Sequence, residues 1–141
     1  MVWTRNQPML TMGAAQALLD AGVAHAIEEG IAVSITVLDP AGRLLAFLRM
    51  DGAPHVSIEA SLKKARTAVG FGIPTGQAWL DFVSGDPILE GGVGHLPDFI
   101  LLGGGSPVRL ADQLVGALGV SGGHYSQDER IAAAALRGLD S

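Results

Sequence analysis

Apolar positions in the first third of the chain follow two different spacings. Residues 10–29 are apolar on nearly all sides, which predicts a long helix buried against a sheet on one side and a neighbouring subunit on the other. Gly30 is well placed to end that helix. Residues 31–38 alternate between apolar and small polar positions, as in a half-buried strand. Residues 44–50 predict a second strand after the turn-forming residues 39–42, so we expect an antiparallel hairpin.

The rest of the chain continues with helices and then with strands. Residues 56–69 predict an amphipathic helix, and a short helix at 75–83 precedes a Gly- and Pro-rich loop at 84–97. Three further strands are predicted at 99–102, 108–110 and 114–120. The final helix is expected to open at Ser126, because Ser126 and Glu129 have the Ser-x-x-Glu spacing of a capping box.

The order of these elements and the length of 141 residues predict one domain. We expect a short leader over residues 1–9 and the domain over residues 10–141. The helices are grouped rather than alternating with every strand. This order favours an α+β fold with a mostly antiparallel sheet and packed helices, and it argues against a doubly wound fold.

Composition narrows the class of protein further. Hydrophobic residues make up 48% of the chain and charged residues 16%, which excludes a disordered chain. A formal net charge of −5 argues against nucleic acid as a partner. Twenty glycines predict backbones that approach one another closely, and the scarcity of charge predicts a homo-oligomer. With no cysteine, no signal peptide and no apolar run of membrane-spanning length, we expect a cytoplasmic protein without disulfides or a membrane partner.

Two glycine-rich stretches, residues 103–106 and 121–123, follow predicted strands. The second leads into a helix, and the free backbone N–H groups at a helix start are able to bind a carboxylate or a phosphate. The alternative is that both stretches are tight turns beside an ordinary helix cap. Neither has the spacing of a nucleotide-binding loop.

Three of the four histidines, His55, His95 and His124, lie in predicted loops at the ends of elements. Imidazoles in loops suit metal ligation or acid/base chemistry, although no pair has the spacing of a zinc site. With no cysteine in the chain, these three imidazoles are the candidate metal ligands, unranked. His25 lies within the first helix and is expected to be structural.

Lys64 differs from the charged residues around it. It lies about 100° from Lys63 on a helical wheel and borders the apolar face of its helix. Its ammonium group either points towards a pocket or extends past apolar surface into solvent. Arg49 and Asp51, at the end of the second strand, either join that pocket or pair with each other to hold the turn.

Four stretches in this order and spacing resemble the GlcG/HbpS-like family over residues 10–139. They are VSITVLD with Gly42, RMDGA, Lys64–Ala65 with Thr67–Ala68, and GALGVSGG followed by QDE. The resemblance implies a profilin-like α+β fold with a five-stranded antiparallel sheet. It also implies homo-oligomers and, for some members, haem binding. If this chain binds haem, His55, His95 and His124 are the candidate iron ligands, unranked, because there is no cysteine.

The resemblance further implies a pocket region that includes Arg49, Asp51, Lys64, Gly103–Gly104 and Gly122–Gly123. His124 follows the double glycine, where many relatives carry a small or polar residue. We expect the pocket between the end of the second strand, the second helix and the turn before the last helix. The expected ligand-binding residues are Arg49, Asp51, Lys64, Gly103, Gly104, Gly122, Gly123 and His124.

Two functions of different classes fit these residues. The first is a non-enzymatic protein that binds a small molecule, with haem or another tetrapyrrole as the ligand. The second is a cofactor-independent enzyme acting on a small carboxylated substrate by proton transfer, in which Lys64 or Arg49 holds the anion and His124 is the acid/base group. A third alternative is an interaction module that regulates a partner. Few aromatic rings argue against a macrocycle, and a titration with haemin separates the first two functions.

Overall fold

The computed structural model describes residues 1–140 of the chain. The expected helices and hairpin strands are present, with ends that differ from the predicted ones by a few residues. The elements in chain order are α1 Met12–Glu29, β1 Ser34–Leu38, β2 Leu44–Arg49, α2 Ser57–Phe71, α3 Gln77–Val83, α4 Pro87–Gly92, a 3-10 turn Val93–His95, β3 Gly105–Leu110, β4 Gln113–Ser121, α5 Tyr125–Arg137 and a 3-10 turn Gly138–Asp140.

Within residues 1–140, four strands in the order β2–β1–β4–β3 form one antiparallel sheet. The α+β architecture is confirmed, but the fifth expected strand, residues 99–102, is not formed. Its backbone bonds elsewhere: the Ile100 N–H donates to Thr67 Oγ1 at 3.0 Å, and the Leu101 carbonyl accepts from the Gly76 N–H at 2.7 Å. The prediction of five strands is wrong because this segment is bonded to α2 and to the residue before α3 rather than to a sheet edge.

Strand β1 lies at the centre of the sheet and is buried on both faces. On one face its hydroxyls meet those of α2, with Ser34 Oγ 2.7 Å from Ser57 Oγ and Thr36 Oγ1 2.8 Å from Ser61 Oγ. On the other face Ile35 joins an apolar core with residues of α1 and α5. The prediction of a half-buried strand is wrong because α2 covers its polar face with matching hydroxyl groups.

Glycines let helix α2 lie very close to the sheet. Gly119 of β4 and Gly105 of β3 are opposite each other in the strand register and both face α2. A Cβ atom at Gly119 would overlap the carbonyl oxygen of Ser61, and one at Gly105 would overlap the carbonyl oxygen of Lys64. The expectation that a glycine-rich chain brings backbones together is confirmed at this interface.

Helix α1 packs on the opposite face of the sheet, beside α5. Met12 and Ile27 of α1 are exposed, so the expected contact with a neighbouring subunit stays a prediction. Over residues 1–140, no helix combines the length and the apolar character needed to span a membrane. The buried residues of α1 are small or aliphatic: Ala15, Leu18, Leu19, Gly22 and Ala26.

A small lobe built on α3 and α4 covers the end of α2. Trp79 is buried at its centre, with its ring edge-to-face against Phe71 at 4.7 Å between centroids. Helix α4 lies inside the segment expected to be a loop. Asp86 caps it, because its carboxylate accepts hydrogen bonds from the N–H groups of Ile88 and Leu89 at 3.0 and 3.2 Å.

Candidate functional site

A buried ion pair joins the two faces of the sheet. Lys64 on α2 and Asp128 on α5 are each 1% exposed, and Lys64 Nζ lies 2.9 Å from Asp128 Oδ2. The same ammonium donates to the Val120 carbonyl at 2.9 Å, and Asp128 Oδ1 accepts from the Gly123 N–H at 3.0 Å. The pair therefore connects α2 to the end of β4 and to the first turns of α5.

Burial shifts the pKa of both partners away from their usual values. Desolvation lowers the pKa of Lys64, while the charge of Asp128, its hydrogen bond and the charge of Glu129 oppose that change. Desolvation raises the pKa of Asp128, and Lys64 opposes that change in turn. Each charge is thus unfavourable alone inside the protein and is sustained by the other.

The glycines around this ion pair leave room for neighbouring backbone segments of the same protein. Gly104 has a φ of 125°, and a Cβ atom there would stand 3.1 Å from Lys64 Nζ and overlap the Val120 carbonyl oxygen. Gly122 has a φ of 153°, and its missing side chain leaves room for the carbonyl oxygen of Ala32. The close approach that both glycines permit is between two segments of backbone.

His124, rather than Ser126, is the N-cap of helix α5. Its Nδ1 accepts a hydrogen bond from the Ser126 N–H at 3.2 Å, and its own N–H donates to Gln127 Oε1 at 2.9 Å, which completes a capping box. The prediction of a Ser126–Glu129 box is wrong because the helix begins at Tyr125, two residues before the start that a Ser126 cap would give. With Nδ1 accepting, the neutral ring carries its proton on Nε2.

Two concavities lie beside the start of α3. We call the first the groove: it has a volume of about 210 Å³, its walls are mainly apolar, and it is lined by Gly76, Gln77, Leu80, Val83, Leu101, Leu102, Gly103 and Tyr125. We call the second the trough: it has a volume of about 290 Å³ and is lined by Pro74, Thr75, Gln77, Ala78, Gly104, Gly105, Ser106, Glu129, Ala132, Ala133 and Leu136.

The family model described as haem degrading protein HbpS-like matches residues 10–137. The chain belongs to this family. It is 34% identical over 127 residues to an uncharacterised 15.0 kDa protein in the dhaT–dhaS intergenic region of Citrobacter freundii, covering 90% of this chain and 89% of that protein.

Two solved structures extend the comparison of this HbpS-like chain. The Klebsiella pneumoniae protein ORFY superimposes with a TM-score of 0.92 at 33% identity, covering 100% of this chain and 97% of that one. A PduOC:haem complex superimposes with a TM-score of 0.85 at 32% identity, covering 92% of this chain and 94% of that one. A member of the same fold has therefore been crystallised with haem.

The site residues expected from the sequence lie along one end of the sheet of this HbpS-like protein. Ser34, the first residue of β1, is opposite Arg49 on one side and Ser121 on the other. Arg49 is therefore about 10 Å from the turn at Gly122, since neighbouring strands are about 4.8 Å apart. Asp51 follows Arg49 in an exposed turn.

Only some of the predicted site residues lie close together in the structure. Lys64, Gly103–Gly104, Gly122–Gly123 and His124 surround the start of α5. His55 is exposed just before α2, and His95 is exposed in the turn after α4. In the part of the chain that the structure describes, no three His, Asp or Glu side chains are grouped to hold a metal ion.

Three residues at this site were not predicted from the sequence: Tyr125, Asp128 and Glu129. Asp128 and Glu129 belong to the segment that the sequence predicts to be a capping box, and carboxylates are common at the start of a helix. The available signal was Lys64, because a buried lysine needs a carboxylate partner. Tyr125 carried no such signal, since its position in the groove depends on the true start of α5.

His124→Ala is expected to lower the free energy of unfolding by about 0.5–2 kcal/mol, because the Ser126 N–H loses its acceptor. His124→Asn keeps a side-chain acceptor at the N-cap and should restore most of that loss. Urea unfolding of the two variants checks the capping role. If His124→Asn is as unstable as His124→Ala, the imidazole stabilises the protein in some way other than as a cap.

Proposed function

We propose that this protein binds a planar, mainly apolar small molecule, haem or another tetrapyrrole, in the groove. The observation that carries the proposal is a set of solvent-exposed apolar side chains lining one concavity beside Gly103 and Tyr125. Leu80, Leu101 and Leu102 are all exposed there, as expected of a surface that a ligand covers. The PduOC:haem complex supports a tetrapyrrole as the ligand.

The residues around the groove fit haem in two respects. The walls are aliphatic, and Tyr125 offers a phenol oxygen, one of the side-chain groups that hold haem iron. The imidazole of His124 lies beside that phenol ring, at 4.1 Å between ring centroids. The volume of about 210 Å³ is below the usual range of roughly 300–1,000 Å³, so the groove would hold one edge of a macrocycle. Bound haem would supply a redox-active iron.

The candidate iron ligands differ in the hydrogen bonds that each would have to give up in order to bind iron. Ligation through Nε2 of His124 requires its proton to move to Nδ1, which then no longer accepts from the Ser126 N–H. A proton on Nδ1 is able to donate instead to Ser126 Oγ at 2.8 Å. His55 and His95 do not line the groove. Ligation by the phenolate oxygen of Tyr125 would leave the capping hydrogen bonds of His124 in place, and we propose Tyr125 ahead of the three histidines.

Titration of the protein with haemin should give a saturable Soret band. Leu80→Asp should weaken binding by about tenfold or more, because a buried carboxylate replaces an apolar contact. The matched control is Ile88→Asp, which changes an exposed aliphatic residue of the neighbouring helix α4 outside the groove. Tyr125→Phe should shift the Soret maximum.

Two results would contradict this proposal. Equal haemin affinity in Leu80→Asp and Ile88→Asp would place the ligand away from the groove. An unshifted Soret band in Tyr125→Phe, combined with a shifted one in His55→Ala, His95→Ala or His124→Asn, would assign the iron to a histidine.

The acid/base alternative requires Lys64 or Arg49 to hold the substrate that His124 faces. Arg49 lines neither the groove nor the trough. Lys64 is 1% exposed, its ammonium is bonded to Asp128 and Val120, and it lines neither the groove nor the trough. Its part in the proposed site is therefore that of a positioning residue, which holds the start of α5 through Asp128.

A further inference from the structure

The carboxylate of Glu129 lies in a gap left by two glycines. A Cβ atom at Gly76 or at Gly103 would occupy the place of Glu129 Oε1. Glu129 is half-buried, and its carboxylate accepts no hydrogen bond from another residue of the part that the structure describes. Glycine at both positions thus admits a carboxylate that the protein itself leaves without a donor.

Glu129 also determines the charge of the trough. It is the one charged residue among those that line this concavity. Lys64 and Asp128 lie behind Gly104 as an ion pair at 2.9 Å, and the charge of Glu129 also acts on Lys64, so the three side chains together carry one net negative charge. The surplus charge next to the trough is therefore the single negative charge of Glu129, which repels a carboxylate and attracts a cation.

The other walls limit the size and character of a ligand. Ala78, Ala132, Ala133 and Leu136 give the trough an aliphatic surface. The volume of about 290 Å³ is near the lower limit for small-molecule sites, roughly 300 Å³. Such a site suits a short aliphatic chain that ends in a hydrogen-bond donor with positive charge.

We propose that the trough binds a small aliphatic ammonium ion, with its N–H groups donating to Glu129 and its alkyl chain on the α5 alanines. An ammonium ion provides the donors and the charge that Glu129 lacks. The trough adjoins the groove at Gln77, which lines both, but Leu80, Leu102 and Tyr125 line only the groove and Glu129 lines only the trough. The inference does not depend on haem binding.

The experiment is a titration of the ¹⁵N-labelled protein with n-butylammonium chloride, followed by amide NMR shifts. We expect saturable shifts at Thr75, Gly104 and Gly105, and at least about tenfold weaker binding of 1-butanol and sodium butyrate, the neutral and anionic analogues. Glu129→Gln should weaken n-butylammonium binding by at least about tenfold. Glu59→Gln, an equal charge change on an exposed α2 residue, should leave it unchanged.

A second variant tests the place of binding while keeping the carboxylate. Ala133 is exposed on α5 and lines the trough, so Ala133→Leu should fill it and abolish the shifts without unfolding the protein. Equal affinity of Glu129→Gln and Glu59→Gln, or equal affinity for butanol and butylammonium, overturns the proposal. Unchanged binding in Ala133→Leu also overturns it.

Discussion

Asp128→Asn is expected to lower the free energy of unfolding by about 3–5 kcal/mol, among the largest effects of any single substitution in this protein. The variant leaves the Lys64 ammonium buried beside a neutral amide, so the cost of desolvating that charge is no longer offset. Urea unfolding measures the loss. The matched control is Asp98→Asn, which breaks an exposed pair with Arg66 and should cost about 0–1 kcal/mol.

The double variant Lys64→Met/Asp128→Leu separates the pair from its surroundings. Because neither charge remains buried alone, its loss of stability should be clearly smaller than the sum of the losses in Lys64→Met and Asp128→Leu. Additive losses would show that the two side chains act independently, which the 2.9 Å contact does not predict.

The pH dependence of Asp128→Asn gives a further check on the same buried ammonium. Burial lowers the pKa of Lys64 in the folded protein, and the variant removes the carboxylate of Asp128, which opposes this change more than that of Glu129 does. Between the folded pKa and the unfolded value of about 10.4, the unfolded chain binds more protons, so stability rises with pH. The deficit of Asp128→Asn should therefore shrink from about pH 7 to about pH 10.

Gly119→Ala is the second substitution with a large expected effect, about 3 kcal/mol or more. The added Cβ atom would overlap the Ser61 carbonyl oxygen and meet the backbone nitrogen of Ala65, so helix α2 would have to move away from the sheet. Thermal or urea unfolding measures the change. Backbone atoms cannot rotate aside as a side chain does, which is why one methyl group is so costly here.

Gly70→Ala is the matched control, because Gly70 lies on α2, the helix that Gly119 contacts, and nothing stands within 4 Å of its Cβ position. Replacing a helical glycine with alanine should stabilise the protein by about 0.5–1 kcal/mol. If Gly119→Ala and Gly70→Ala change stability by similar amounts, the tight α2–sheet contact is not a constraint on the fold.

The elements that could be predicted are those with a long periodic pattern or a strong end signal. Helix α1 ends at Gly30 with a φ of 73°, as a C-terminal glycine predicts. The strand expected at residues 99–102 rested on a short apolar run, which suits any buried segment. Its actual partners, Thr67 and Gly76, are distant in sequence, so no local pattern indicates them.

The site could be predicted only in outline. Lys64 was expected to enter a pocket or to reach solvent, but it lines neither the groove nor the trough and is buried, because its partner Asp128 lies on the opposite side of the sheet. The start of α5 decides which side chains face the groove and the trough. Both Ser126 and His124 have a capping-box partner three residues later, and the sequence favours serine as a cap. The structure places the cap at His124, and Tyr125 reaches the groove as a result.

The two hydroxyl pairs between β1 and α2 determine the position of the helix along the strand. Ser57 and Ser61 are four helical residues apart, a rise of about 6.0 Å. Ser34 and Thr36 are two strand residues apart, a rise of about 6.6 Å. The two spacings are nearly commensurate, so both hydrogen bonds form together when α2 runs along β1. A slip of α2 by one turn would place Ala65 opposite Thr36 and leave the buried Thr36 hydroxyl without a partner. The helix therefore has one favoured position along the strand rather than a continuous range of positions.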